Sequence, residues 1–382
     1  MDPQYVESRI SRHLHYKAAA AGIPLSGTFE LTPCCNLSCK MCYVRKPRQE
    51  VEAEGGLMTA VRWICLAEEA RDMGMLYLLL TGGEPLTHPE FREIYTACRN
   101  MGLVVSINTN GTLMDDDMLD FLAANPPAKV NMSLYGASRG TYAGLCGMPD
   151  AYDRAIYALK GMKSRNLTVK LNYSVTRYNC GDMTEIIWLA RENDVNIQVA
   201  TYMFPPLRRD GSQVGRNDRM SPEEDAAAHV RSELLRMSGE EFNALAQARL
   251  SRSEGALGET ECSMDNPDEH IRCRAGSTAF WINWSGEMTP CGMWPVSAAD
   301  VNTDGFEGAW RKTREFASHI MMPAKCTACP DRPVCMVCAA SCRCETGSFT
   351  EAPEYLCRRT RGVLLETEKA CTALKTGKGE DR

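Results

Sequence analysis

Between residues 28 and 202, short β-rich runs alternate with segments whose apolar positions recur every three to four residues, the pattern of repeated βα units around a parallel sheet. The strands fall at Thr28–Thr32, Leu76–Thr81, Val104–Thr109, Val130–Leu134, Val169–Val175 and Ile197–Tyr202. Among the intervening helices, Phe91, Ile94, Tyr95 and Cys98 share one face, as do Met183, Ile186, Ile187 and Ala190. Asp115, Asp116 and Asp117 open another helix, where acids suit the positive end of the helix dipole. Six units are too few to close an eight-stranded barrel, but chemistry is still expected at the strand C-termini, as in full βα barrels.

From about Met203 the pattern changes to a Pro- and Arg-rich loop. Two helices follow, announced by Ser221-x-x-Glu224 with Pro222 in the first turn and by Ser238-x-x-Glu241. This stretch reads as a helical bridge over 206–260. Residues 261–370 are rich in Cys, Pro and Gly and carry only short strand and helix signals, including a hairpin in FWINWSGEM around Ser285-Gly286. A segment so poor in apolar periodicity needs cross-links or metals to hold a shape. Residues 1–27 form an N-terminal extension before the barrel region 28–205, and 371–382 read as a frayed tail.

Composition narrows the class. The 382 residues have the apolar and charged fractions of a soluble globular protein. They contain no bilayer-length apolar run and no signal peptide, so a cytoplasmic location without membrane attachment is expected. Nineteen cysteines in a reducing compartment point to metal or catalysis rather than disulfides. A net charge of -6 argues against nucleic acid as the main partner. Basic residues cluster locally at Lys40, Arg45, Lys46 and Arg48 and at Arg208, Arg209, Arg216 and Arg219. Each cluster reads as a solvated loop, with docking of a reductant or a substrate carboxylate as the alternative.

Cys35, Cys39 and Cys42, spaced Cys-x3-Cys-x2-Cys with Tyr43 behind, can hold an iron–sulfur cluster and leave one iron uncovered, since four thiolates fill a four-iron cluster. The alternative is a zinc knuckle with Cys34 as a fourth sulfur. The spacing resembles the signature of the radical S-adenosylmethionine superfamily. That resemblance implies a (β/α)6 partial TIM barrel, a 4Fe-4S cluster on the three cysteines, and S-adenosylmethionine chelated to the vacant iron with Tyr43 by the adenine. It also implies reductive cleavage to methionine and a 5′-deoxyadenosyl radical.

Thr81-Gly82-Gly83-Glu84-Pro85 ends the second strand, and two glycines there let the backbone come close to a ligand. The run resembles the superfamily's Gly-Gly-Glu-Pro element, which binds the amino group of S-adenosylmethionine through exposed carbonyls and the acid. By the same resemblance Asn108, Asn110, Ser133 and Asn172 stand where ribose and carboxylate are contacted. The competing readings are a simple turn for Asn110-Gly111 and a local hydrogen bond for Ser133.

Further on stand Cys273 and, after Gly286, Cys291; then Cys326-x2-Cys329-x5-Cys335-x2-Cys338, and finally Cys357. This resembles the SPASM extension of radical enzymes, which carries two auxiliary iron–sulfur clusters. The resemblance assigns Cys326, Cys329, Cys335 and Cys357 to an outer cluster, and Cys273, Cys291 and Cys338 to an inner one. SPASM sequences have three residues between the last two cysteines of the later group, where this chain has two, so one ligand stays open. The inner cluster's fourth position falls to Cys262, to Cys342, or to no protein ligand, with Cys262 preferred. Structural zinc is again the alternative. Cys65 and Cys98 read as buried helix residues, and Cys34, Cys146, Cys180, Cys344 and Cys371 have no assignment.

A SPASM-bearing radical enzyme resembles maturases of ribosomally made peptides, the thioether-forming type above all. The implied partners are a precursor peptide, a flavodoxin- or ferredoxin-type electron donor and a separate leader-peptide-binding protein. Rival readings are a sulfatase-maturing, formylglycine-type enzyme, a small-molecule dehydrogenase or decarboxylase, and a non-catalytic iron–sulfur electron-transfer protein. The pattern singles out no catalytic base.

Overall fold

The computed structural model describes residues 9–215, 218–252 and 273–376. Strands β1 (Ser26–Glu30), β2 (Tyr77–Thr81), β3 (Val104–Thr109), β4 (Lys129–Ser133), β5 (Val169–Ser174) and β6 (Asn196–Ala200) pair in parallel, each with the next. Helices follow the strands, giving the (β/α)6 partial barrel. On one face of the sheet Phe29, Leu78, Leu80, Val105, Ile107, Val130, Met132 and Leu171 pack with helical Trp63, Leu66, Ile94, Tyr95 and Leu119. Because side chains alternate along a strand, Asn108, Asn131, Ser133, Asn172 and Ser174 share the other face and line the barrel interior.

The C-terminal hairpin does not stand apart from this sheet. β7 (Ala279–Ile282) pairs in parallel with β1, and β8 (Glu287–Thr289) and β9 (Ala299–Asp300) continue it antiparallel to a nine-stranded sheet of order β6-β5-β4-β3-β2-β1-β7-β8-β9. An open barrel leaves β1 with unpaired N–H and C=O groups on one side, and β7 covers them. The turn between β7 and β8 needs Gly286, whose φ is 99° and whose missing Cβ leaves room for the Asn302 side chain.

Three expectations need correcting. The C-terminal region holds two long helices, Val301–Ser318, kinked at Gly305, and Glu354–Lys375. Their signal is muted because the buried face of the second includes Arg359, Thr360 and Thr367, which hydrogen-bond within the fold. This helix also runs on through Lys375, into the stretch read as a tail. Cys98 is buried, but Cys65 is exposed: in its helix Trp63, Leu66 and Ala67 face the core and Cys65 points away from them. No helix among the described residues is long and apolar enough to cross a membrane.

Both bridge helices, Pro222–Arg236 and Gly239–Leu250, begin with the expected reciprocal capping boxes. They are tied by a buried pair, Arg249 to Glu233 at 2.5 and 2.8 Å, with Arg249 also donating to Thr367 at 3.1 Å. Burial alone would raise the Glu233 carboxyl, but His229 and Arg249 outweigh it and hold the group well below its ordinary range. A depressed carboxyl contributes stability that is present at neutral pH and lost as pH falls through its folded value. Arg249→Ala is expected to cost about 3 kcal/mol in urea unfolding, because it takes both guanidinium hydrogen bonds from buried Glu233 and leaves it only the His229 contact at 3.2 Å. Glu233→Gln should flatten the acid side of the stability–pH curve.

Candidate metal and cofactor site

The three-cysteine loop leaves β1 and is tied down on two sides. Gly83 N–H donates to Thr32 O at 2.7 Å and Glu84 N–H to Cys34 O at 2.9 Å, binding it to the turn after β2. Ser38 N–H donates to Cys146 O and Lys40 N–H to Leu145 O, both at 3.0 Å, binding it to the end of helix Arg139–Cys146. Within this frame Cys35, Cys39 and Cys42 converge closely enough that the charges of Cys39 and Cys42 bear on Cys35. Backbone N–H groups point at two of the sulfurs, Leu37 to Cys35 at 3.4 Å and Arg45 to Cys42 at 3.3 Å. Burial pushes the Cys35 thiol up to about 12 and raises Cys42 as well. The Cys39 thiol is raised by its hydrogen bond with the Cys146 thiol and then by burial. Three soft sulfur donors with N–H groups aimed at them fit an iron–sulfur cluster. Among the described residues no three His, Cys, Asp or Glu side chains are placed to hold a single metal ion.

The glycine pair approaches protein backbone. A Cβ on Gly83 would lie 2.5 Å from Cys34 O and 2.6 Å from Pro33 O, and one on Gly82 would lie 2.5 Å from Thr32 O. The two glycines therefore let β2 dock on the cysteine loop. Gly83→Ala is expected to push that loop outward, costing about 1–3 kcal/mol and lowering the iron retained after reconstitution. Iron per chain together with a urea unfolding curve checks it.

Glu84 is fully buried, and its carboxylate accepts from Thr109 Oγ1 at 2.8 Å, Asn110 N–H at 2.7 Å and Leu86 N–H at 3.2 Å. Burial raises it to about 7 against the pull of these donors. Asn110 in turn donates to Asn36 Oδ1 at 3.0 Å, contacts Cys35 Sγ at 3.7 Å and accepts from Thr112. Glu84 and Asn110 thus join β2, β3 and the cysteine loop into one unit. Asn108 accepts from Asn131 at 2.9 Å across the β3–β4 register, and Ser133 hydrogen-bonds Tyr135. Asn172 lies opposite Ser133 on β5, and its buried Oδ1 has no hydrogen-bond partner among the described residues. An orphaned buried acceptor costs stability unless a donor arrives, so this strip fits a polar ligand bearing hydroxyl or ammonium groups.

Tyr43 lies on the side of the loop facing the C-terminal region. Arg208 sits 5.7 Å from its ring centroid and binds both oxygens of Glu30 at 2.9 Å, and Trp281 Nε1 donates to Glu30 at 2.9 Å. Arg208 also donates to Gly292 O at 2.9 Å, next to Cys291. Glu30, Tyr43 and Arg208 line a cleft of about 140 Å³ with Asn283, Trp284 and Trp294. The solvated-loop reading of this basic cluster needs correction: Arg208 is 15 % exposed, and Arg219, at 8 %, pairs with Glu345 at 2.6 Å. Arg216 lies outside the described residues.

The C-terminal thiols form two groups. Cys326, Cys329, Cys335 and Cys357 together line a cavity of about 50 Å³, and Thr360 Oγ1 donates to Cys335 Sγ at 3.3 Å. Cys291 lies near Cys338 and Cys273, whose charges add to the burial that raises its thiol. Cys342 is buried, with the charges of Cys326, Cys338 and Cys335 bearing on it, and Cys262 lies outside the described residues. Sequence reasoning missed Cys146, Asn131 and the Glu30–Arg208 pair. Only Glu30, a lone acid between Phe29 and Leu31, carried a local signal of a buried partner.

Residues 29–187 match the radical SAM superfamily. An AdoMet-dependent heme synthase of Methanosarcina barkeri is 26% identical over 347 residues, covering 88% of this chain and 97% of that protein. A PqqA peptide cyclase of Gluconobacter oxydans is 27% identical over 169 residues, 44% of this chain and 46% of its own. Native anSMEcpe with bound AdoMet and Cp18Cys peptide has the same fold, with a TM-score of 0.67 at 18% identity over 93% of this chain and 99% of that one.

Proposed function

Because the chain is a radical S-adenosylmethionine enzyme, we propose that it oxidatively modifies a ribosomally made peptide, forming a thioether or another cross-link. The observation that carries this reading is the continuation of the sheet from β1 into β7. It brings Cys291 close enough to Tyr43, the residue after Cys42, for its charge to bear on the phenol, so a centre on Cys291 that accepts electrons would stand next to the site of hydrogen removal. The adjoining cleft offers Arg, Asn, Ser and Glu side chains with two tryptophans, a lining that suits the amides and side chains of an extended peptide. A peptide cyclase among the relatives and a peptide-bound structural neighbour support the same class.

In this reading Cys35, Cys39 and Cys42 hold the 4Fe-4S cluster, and the barrel strip Asn108, Ser133 and Asn172 receives S-adenosylmethionine, with Gly82, Gly83, Glu84 and Asn110 shaping its edge and Tyr43 beside it. Bound together, cluster and S-adenosylmethionine supply a strongly hydrogen-abstracting radical. The chain's own task is to position the substrate carbon and exclude water. Tyr135 and Tyr142, both close to Cys39, and the closed Glu30–Arg208 pair provide that wall. Cys326, Cys329, Cys335 and Cys357 hold an outer auxiliary cluster, and Cys273, Cys291 and Cys338 contribute to an inner one. The bounds 28–205, 206–260 and 261–370 divide function rather than sheet. An electron donor of flavodoxin or ferredoxin type, a separate leader-binding protein and a cytoplasmic setting complete the proposal; all cysteines among the described residues are free thiols.

A second reading, oxidative decarboxylation or dehydrogenation of a small molecule, is favoured by the near full-length match to a heme synthase. Anaerobic incubation with dithionite, S-adenosylmethionine and a Cys-containing precursor peptide encoded beside the gene separates the two. The peptide reading expects 5′-deoxyadenosine to rise with peptide and the peptide to lose two hydrogens in mass. Product from a porphyrin carboxylate, with an unchanged peptide, would favour the second.

A further inference from the structure

We propose that Cys344 is the fourth protein ligand of the inner auxiliary cluster, which closes that cluster against direct binding of a substrate thiolate. The inference rests on reading the C-terminal cysteines as iron–sulfur ligands. It begins with helix Ala339–Thr346, whose N-cap is Cys338. The Cys338 sulfur accepts from Ser341 N–H at 3.4 Å, an orientation that places it at the helix mouth. Cys344 lies further along the same helix, 1 % exposed, and its thiol donates to Met293 O at 3.5 Å. Met293 belongs to the tight turn closed by Trp294 N–H on Cys291 O at 3.0 Å. Cys344 is thereby packed on the turn that presents Cys291, and its backbone is fixed from the other side by Gly215 N–H on Cys344 O at 2.9 Å.

Among the described residues, the thiols whose charges bear on Cys291 are Cys338, Cys273 and Cys344, and the Met293 turn holds Cys344 against the Cys291 backbone. With Cys291 they make four sulfurs, the number that fills a four-iron cluster. Cys342 is the rival on the same helix, but the thiol whose charge bears most on it is Cys326 of the outer group, ahead of Cys338 and Cys335. It lies between the two groups and is fully buried. The hydrogen bond to Met293 would give way on metal binding, since a ligating thiolate no longer donates.

The test uses the full chain carrying Cys35→Ala, Cys39→Ala and Cys42→Ala, so that only auxiliary clusters remain, reconstituted anaerobically with iron and sulfide. Adding Cys344→Ala should open the inner cluster. Mild ferricyanide oxidation should then give a three-iron electron paramagnetic resonance signal that the parent lacks, and β-mercaptoethanol should shift the spectrum of the reduced variant alone. Cys344→Ser should give a weaker form of the same change, and an intact outer-cluster signal shows that the fold is kept. The assignment is overturned if Cys344→Ala behaves as the parent, if the parent already shows both responses, or if Cys262→Ala or Cys342→Ala produces them instead. Zinc without acid-labile sulfide in the parent would overturn the cluster reading itself, a result distinct from any of these.

Discussion

Cys39→Ala protein is expected to form no 5′-deoxyadenosine above the enzyme-free rate when given dithionite and S-adenosylmethionine. Cys39 is the middle cysteine of a loop in which its two flanking residues, Ser38 and Lys40, are pinned by the helix end at Leu145 and Cys146. The backbone around it therefore cannot shift to bring another sulfur into place. Cys146 already touches the Cys39 thiol, so its own variant is the control. Cys146→Ser is expected to leave cleavage intact, which separates a ligand from a neighbour. Cys326→Ala should retain cleavage while losing oxidation of the substrate, because the outer thiols are grouped apart from the loop. Chromatography of 5′-deoxyadenosine with iron counted per chain checks all three. Full product formation by Cys39→Ala would remove the basis of the assignment.

Glu30→Ala is expected to destabilise the chain by about 3–5 kcal/mol, the usual consequence of stranding a buried charge. Glu30 is 1 % exposed and is held by Arg208 from the bridge and by Trp281 from β7, so one carboxylate joins three regions distant in the chain. Arg208→Ala should cost a similar amount by stranding Glu30. The double variant Glu30→Leu with Arg208→Met should recover much of the loss, since apolar replacement of a buried pair is often close to neutral. Urea unfolding of the four proteins forms the cycle. A loss below about 1 kcal/mol in either single variant, the range of a solvent-exposed pair, would mean that this pair is open to water in solution.

The parts of the site legible in the sequence are those whose chemistry is local. Three sulfurs within eight residues and the Thr81-Gly82-Gly83-Glu84-Pro85 turn follow adjacent strands, so spacing alone brings them to the same end of the sheet. The meaning of the glycines was less legible: they admit the loop backbone at Cys34 and Pro33, a contact between segments separated by a full βα unit. The long helix Glu354–Lys375 was obscured for a related reason. Its core face carries Arg359 and Thr367, polar residues that are stable there only because Asp225 and Arg249 reach them from the bridge. Arg208 and Arg219 looked solvated because their partners, Glu30 and Glu345, stand 178 and 126 residues away.

By itself the sequence determined the βα rhythm, the six parallel strands, the capped bridge helices and the cysteine loop, all of which depend on side-chain period or on neighbours within a few residues. The tertiary structure decided that β7 extends the barrel sheet along β1, that Glu30 and Arg208 close the cleft between them, and that the scattered C-terminal thiols sort into groups. Each of those depends on which distant groups satisfy one another when they leave water together. That satisfaction is a property of packing in three dimensions, and no local pattern of residues records it.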